Sequence, residues 1–246
     1  MFRKFFASLA SLAIFAAISI NSTAFARPQG DHESSANHSA RVQAKLNLAI
    51  LIQDDLVSHV GNELNVTRDF IRNLPDGSRV MVAYITSGTL QVRQPFTTNL
   101  EEAARSLRVP VASESATSYN PYVEVVEALR RFDNQNGNPN ALLLVSDGLD
   151  ISQGLDATAA GNTVDLLRAI KEAKKRNVAV YTFYAPSVGL TSFNHTASFY
   201  GQTSLSRLAE ETGGRAFFQG MTDFVTFNAY FERFSRVLND RTSTAY

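Results

Sequence analysis

Beyond its first 26 residues the chain has two runs of five consecutive aliphatic residues, Leu48-Ala49-Ile50-Leu51-Ile52 and Ala141-Leu142-Leu143-Leu144-Val145. Unbroken apolar runs of this length read as strands covered on both faces, as in the centre of a parallel sheet. After the first run, Val60, Leu64, Thr67, Ile71 and Leu74 recur at helical spacing, and Pro75-Asp76-Gly77 ends that helix. Arg79 to Ile85 is a further strand. Leu90 to Phe96 alternates apolar with polar, so one of its faces is wet. Only Thr86-Ser87-Gly88-Thr89 separates these two, which predicts a hairpin and an antiparallel edge strand, where Pro95 is tolerated.

The pattern then continues with a short helix over 99–106, a Ser/Thr-rich loop over 113–120, and a helix lined by Tyr122, Val125, Val126, Leu129 and Phe132. Beyond the Ala141 run, Val164, Leu167, Ile170 and Ala173 predict a helix with those residues inward, and Val178 to Tyr184 a strand. The stretch 186–200 reads as a long loop carrying Phe193, His195, Phe199 and Tyr200. Leu205 and Leu208 mark a helix ending at Thr212-Gly213-Gly214, where glycine suits a left-handed cap. Arg215 to Gln219 is a last short strand, and Phe224, Phe227, Phe231, Phe234 and Leu238 line a final helix. Strands alternating with helices predict an α/β fold of three layers: a doubly wound, mostly parallel six-stranded sheet with one antiparallel edge strand.

The first 26 residues have a different character. Arg3 and Lys4 precede an apolar stretch from Phe5 to Ile20, and Ala24-Phe25-Ala26 has the small-x-small form of a cleavage site. The stretch is shorter than the ~20 residues a membrane span needs. The expected organisation is a signal peptide over 1–26, a flexible polar lead over 27–45 that carries His32 and His38, one domain over 46–240 and a tail over 241–246. The protein is then exported, periplasmic or extracellular, with no membrane span in the mature chain. The 246 residues include no cysteine, so stability rests on the core alone. From Arg27 onward 21 basic side chains face 23 acidic ones, a net charge of −2 with no basic stripe, which argues against nucleic acid.

Candidate chemistry gathers where the two buried strands end. The first leads into Gln53-Asp54-Asp55-Leu56-Val57-Ser58, the second into Ser146-Asp147-Gly148. In open α/β sheets ligands bind at the carboxyl ends of the strands. A bland reading stands beside this: Asp147-Gly148 is a turn, and Asp54 or Ser58 caps the next helix. Asp150 and Asp156 could add ligands, though solvated loop acids are commoner. Catalytic signatures are missing. Ser58 and His59 are adjacent and diverge, there is no G-x-S-x-G elbow or phosphate-cradling glycine loop, and Gln53-Asp54-Asp55-Leu56 breaks the Asp-x-Asp of an aspartyl-phosphate hydrolase.

The acid-rich end of the first strand, the hairpin edge, Leu-Leu-Leu-Val-Ser-Asp-Gly (142–148) and Leu-Ala-Glu-Glu-Thr-Gly-Gly-Arg-Ala-Phe-Phe (208–218) together resemble a von Willebrand factor type A (VWA, Rossmann-like) domain of an exported bacterial protein. The resemblance implies a metal-ion-dependent adhesion site, built from Asp-x-Ser-x-Ser after the first strand, a loop Thr and a strand-end Asp. It would hold Mg²⁺ (or Mn²⁺ or Ca²⁺) and bind a protein partner through an acidic side chain. Carried over, Asp54 takes the first place, Ser58 the last and Asp147 the strand end. Leu56 stands in the middle, where no metal ligand is offered. Asp55 is the alternative to Asp54, and Asn120 is the loop candidate, with Thr117 and Ser118 behind it. The expected function is a non-catalytic protein-binding module with a degenerate metal site. Its rivals are a metal-dependent hydrolase using Asp54 and Asp147 and a structural domain with a vestigial site. The aromatic residues Phe193, Phe199 and Tyr200, with His195, either present a partner-binding surface or fold inward to pin their loop.

Overall fold

The computed structural model of the protein describes residues 41–133, 137–152, 154–155, 160–218 and 226–243, so the signal-peptide expectation, residues 244–246 of the expected tail, Asp156 and Phe224 lie outside the described residues, while 241–243 belong to the last helix. The strands are β1 (Asn47–Gln53), β2 (Arg79–Thr86), β3 (Thr89–Thr97), β4 (Asn140–Ser146), β5 (Val178–Tyr184) and β6 (Ala216–Phe217). They form one sheet in the order β3-β2-β1-β4-β5-β6, parallel throughout except for the β2–β3 hairpin. The chain winds outward from β1 to β3, then returns to lay β4 on the other side of β1. That reversal puts the topological switch point between the carboxyl ends of β1 and β4.

Both sheet faces are covered, as the unbroken apolar runs require. Helices α1 (Leu64–Arg72), α2 (Leu100–Arg105) and α6 (Asn228–Ser243) pack on one face, and α3 (Tyr122–Leu129), α4 (Val164–Lys175) and α5 (His195–Glu211) on the other. The pleat assigns side chains strictly: Leu48, Ile50 and Ile52 of β1 join the first core, Ala49 and Leu51 the second. The first core is aromatic. Phe183 lies among Phe217, Phe227, Tyr230, Phe231 and Phe234 with ring centroids 5.0 to 6.1 Å away. Burying such rings contributes about 1.5–3 kcal/mol each, which is how a chain without disulfides holds its last helix.

Three sequence expectations need revising. The lead ends earlier than Lys45: Val42 is buried in the first core, and Asn239 of α6 bonds the Arg41 carbonyl and the Gln43 amide. In α4 the inward face is Leu166, Ala169, Ile170 and Ala173, while Val164 and Leu167 are exposed. Ile170 and Ala173 alone cannot fix the helix phase, because Leu166 and Leu167 are equally apolar neighbours. Finally, the 186–200 stretch is only half loop. A 3₁₀ turn spans Leu190–Ser192, and α5 begins at His195, where the Asn194 side chain accepts from the Ala197 amide at 3.0 Å.

α5 matters for the switch point because it comes against the chain leaving β4. A Cβ on Gly201 would stand 1.9 Å from the Asp147 carbonyl oxygen. Gly148, at φ +68°, adopts a backbone conformation suited to glycine, and a Cβ there would meet Leu205 at 2.4 Å. Gly201→Ala therefore destabilises the domain by about 1–3 kcal/mol through overpacking, despite the better helix propensity of alanine. Thermal unfolding measures it, and a Tm equal to or above wild type would show that α5 can withdraw from the β4 exit.

Candidate functional site at the carboxyl edge of the sheet

The two adjacent acids after β1 leave the strand in opposite directions. Asp54 continues the even series and is wholly buried against β2 and the loop after α2. Arg108 forks onto it, donating to Oδ1 at 2.6 Å and Oδ2 at 2.7 Å, while the Thr86 hydroxyl and the Val111 amide donate at 2.7 and 2.9 Å. The Arg108 guanidinium also lies over the Tyr84 ring at 4.0 Å, and the Tyr84 hydroxyl bonds the Arg108 backbone carbonyl and amide at 2.6 and 2.8 Å. Burial alone would push the Asp54 carboxyl up, yet these donors hold it below the usual carboxylate range. With four donors on two oxygens, Asp54 is a structural clamp; it is not the ligand expected from its place in the sequence.

Asp55 continues the odd series, with Gln53 before it, and faces the end of β4. The Gln53 amide is the hub. Its Oε1 accepts from the Ser146 hydroxyl at 2.5 Å and from the Asp147 amide at 3.3 Å, and its Nε2 donates to Asp55 Oδ1 at 2.7 Å. Asp147 accepts from the Leu149 amide and the Thr191 hydroxyl, both at 3.1 Å, and Ser187 stands behind Thr191 at 3.0 Å. Both acids are buried, Asp55 at 1% exposure and Asp147 at 3%. Burial pushes the Asp55 carboxyl up and the neighbouring Asp147 charge pushes it further, to about 7, against the pull of Gln53 and Thr117. Burial raises Asp147 as well. Asp55 Oδ2 has no hydrogen-bond partner among the described residues, and neither has the buried Ser118 hydroxyl.

The other expected ligands lie elsewhere. Ser58 opens an exposed 3₁₀ turn (Ser58–Glu63), because Leu56 is pinned to Ser187 and Val57 to the Pro186 carbonyl before it. Asn120 caps α3 through the Tyr122 amide at 3.0 Å and donates to Asp165 at 2.8 Å. It is Thr117, ranked behind Asn120 from the sequence, whose hydroxyl is near enough to Asp55 to influence its ionisation. Gln53 went unread. Counting the strand's two-residue period back from Asp55 would have placed it in the site. Of the aromatic residues, Phe193 and Phe199 point outward, His195 is exposed at the start of α5, and the Phe199 and Tyr200 rings lie tilted at 57° with centroids 6.3 Å apart. Phe199 borders a groove of about 510 Å³ along α5 that Gln202, Arg207 and Phe218 also line.

No family model matches the sequence, and neither does any curated protein. Solved structures do. An aerotolerance-related membrane protein from Bacteroides fragilis NCTC 9343 superimposes with a TM-score of 0.51 at 15% identity, over 79% of this chain and 99% of that one. The conserved hypothetical protein BatB from Bacteroides thetaiotaomicron gives 0.50 at 10% identity, over 80% and 99%. The human COPII-coat protein Sec24c gives 0.51 at 12% identity, over 81% of this chain and 33% of that one. With the strand order above, these likenesses establish the fold. It is that of a VWA-like domain.

At the end of β1 it is Gln53 and Asp55, an amide and a carboxylate, that face the end of β4. A divalent ion of the Mg²⁺ type wants six oxygens. Gln53 has committed its oxygen to Ser146 and turns an N–H donor toward Asp55, and both Asp147 oxygens already accept hydrogen bonds. Among the described residues, what remains open is Asp55 Oδ2 and the Ser118 hydroxyl. That set does not fit Mg²⁺, Mn²⁺ or Ca²⁺.

Asp54→Ala leaves Arg108 and two further donors without their acceptor and costs about 3–5 kcal/mol. Chemical denaturation measures this. Because the folded pKa is depressed, the Asp54 contribution is present above the unfolded value near ~3.9 and fades as pH falls through the folded value. The gap between wild type and Asp54→Ala therefore narrows below about pH 4 and is flat above it.

Proposed function

We propose that this protein is an exported, non-catalytic interaction module that binds a protein partner on the carboxyl edge of its sheet, without a metal ion in the contact. The observation that carries this reading is the apolar rim of that edge. Phe193 is 72% exposed and Tyr119 64%, and Val109 and Val111 are exposed as well. Surface valines scattered singly mean little, but these four side chains all stand on loops at one edge of the sheet, and exposed apolar groups gathered on one edge support a reading as an interaction site.

The loops that present the rim are held rigidly. The Val111 and Ala112 amides bond to the Asp54 carboxylate and carbonyl at 2.9 Å each, and Ala112 sits at φ +52°, a strained value for a residue with a Cβ. Tyr119 accepts from the Ile151 amide at 2.8 Å, and the Phe193 amide closes the 3₁₀ turn that also places Thr191 on Asp147. Rigid aromatic and aliphatic anchors bind without losing much side-chain entropy. The partner suited to them offers an apolar patch, which replaces the acidic side chain that a metal site would have recruited.

Hydrolysis through Asp54 and Asp147 is disfavoured by the same geometry. Asp54 is neutralised by Arg108, and both acids are covered, so neither presents a base to a substrate in this conformation. VWA-like folds in the compared structures support the reading only as a shared scaffold.

The test is site-specific crosslinking from the rim in the producing cell, followed by mass spectrometry. Wild type should capture a discrete partner, and the double variant Val111→Asp/Phe193→Asp should lower capture about tenfold or more, since interface anchors carry about 2 kcal/mol or more each. The variant's Tm should match wild type because both side chains are exposed. Undiminished capture by a folded double variant would sink the rim, and turnover of generic ester or phosphate substrates would sink the non-catalytic reading.

A further inference from the structure

We infer that the outer face of helices α3 and α4 is a docking surface for an anionic lipid bilayer. Along α4, Val164, Leu167, Lys171 and Lys175 follow one another at helical spacing and form one solvent-facing stripe. The core-facing residues of that helix are Leu166, Ala169, Ile170 and Ala173, whereas Val164 is 65% exposed and Leu167 41%. α3 lies alongside. Its cap Asn120 reaches Asp165 of α4 at 2.8 Å, and it adds exposed Val123 and Arg130 to the same layer. Positive charge is concentrated there. Residues 122–131 and 164–176 hold 7 basic side chains against 4 acidic, a net +3, while the rest of the chain from Arg27 onward holds 14 against 19, a net −5.

The acids of the layer do not cancel this surface. Glu124 is buried, Glu127 is paired with Arg131 at 2.7 Å, Asp165 with Arg168 at 3.0 Å and Glu172 with Arg176 at 2.6 Å. Arg130, Lys171 and Lys175 make no hydrogen bond or ion pair among the described residues. Arg176 holds the Glu172 carboxyl low, and Lys175 and Arg130 add to the pull, so cations of both helices surround one spot. The stripe is invisible along the chain because its members come from two helices and are interleaved with paired acids. A plainer role exists for Lys174 and Lys175, which complement the carbonyl end of α4. It leaves Lys171, Arg130 and the two exposed aliphatic side chains without a reason.

The mixture of side chains selects the occupant. Lys is depleted in protein–protein interfaces, whose anchors are aromatic residues and Arg, and nucleic acid would leave Val164 and Leu167 unused. Cations beside exposed aliphatic residues on a helix face suit a bilayer, where the apolar groups enter the headgroup boundary and the long cationic side chains reach the phosphates. From Val164 to Lys175 the stripe spans about 16 Å of helix, so its side chains meet a flat surface together. The inference stands apart from the rim at the carboxyl edge, whose variants leave both helices untouched.

Cosedimentation of the whole protein with vesicles tests it, using phosphatidylcholine alone and equal parts phosphatidylcholine and phosphatidylglycerol. Wild type should prefer the anionic vesicles by about tenfold or more and lose that preference as salt is raised. Each Lys or Arg at such a surface contributes about fivefold in affinity, so Lys171→Gln/Lys175→Gln should weaken binding by about 25-fold. Val164→Ser/Leu167→Ser should weaken it several-fold and leave the salt dependence in place. Arg93→Gln/Arg236→Gln, which removes two exposed cations from other faces, should bind as wild type does. All six side chains are exposed, so each variant should keep the wild-type Tm, and comparison within one preparation cancels any contribution of residues 1–26. No preference for anionic lipid, undiminished binding by the lysine variant, or an equal loss in the Arg93/Arg236 variant would each overturn the proposal. So would capture of an acidic protein or of nucleic acid by this face without vesicle binding.

Discussion

The carboxyl edge of this domain depends on one buried ion pair, the fork of Arg108 on Asp54. It fastens three things that have no other reason to meet: the end of β1, the β2 residues Tyr84 and Thr86, and the loop after α2. A buried pair is poor evidence of net stability, because desolvating both charges costs nearly what their attraction returns. Its value here is geometric. Four donors converging on one carboxylate fix the path of residues 108–112, and that path holds Ala112 in a left-handed conformation and turns Val109 and Val111 outward. The clamp also settles which of the two adjacent acids is available at the switch point, since Asp54 has no lone pair to spare.

The pleat then does the rest. With Asp54 committed to one face, Gln53 and Asp55 must lie on the other, opposite Ser146 and Asp147. Sequence reasoning found the strand, its neighbours and the acids, because unbroken apolar runs and helical spacing are strong local signals. It put Asp54 ahead of Asp55 for the place facing β4, whereas in the structure it is Asp55 that lies beside Gln53 on that side. The cause is that β1 is buried on both faces, so its composition carries no inside–outside contrast to say which side chains point toward β4. The deciding residue, Arg108, sits 54 positions downstream of Asp54 in a loop with no periodicity. Fold was legible from pattern; the site required a contact that no pattern encodes.

The same limit explains α5. His195-Thr196-Ala197-Ser198-Phe199-Tyr200-Gly201 contains few strong helix formers and a glycine, and read locally it is loop. Tertiary contact overrides propensity: Ala197, Ser198, Gly201 and Gln202 are buried, and Gly201 is the residue whose missing side chain lets the helix reach the Asp147 carbonyl. Propensity is a weak prior wherever a small residue is needed for close approach. In α4 the error was milder, since two adjacent leucines left the phase open and only packing chose Leu166.

The residues at the switch point describe a VWA-like edge whose polar centre is closed, and the proposed function places recognition at its periphery. A metal-centred edge exposes an unfilled coordination place to its partner and gains affinity from one charged contact. Here Gln53 spends its oxygen on Ser146, Asp147 is satisfied from within, and both acids are buried. A buried, internally satisfied polar network contributes register and rigidity more than affinity. Affinity then has to come from what the loops leave in solvent, and on this edge that is aliphatic and aromatic surface. The polar centre and the apolar rim are thus coupled through the backbone, because the bonds that close the one are the bonds that aim the other.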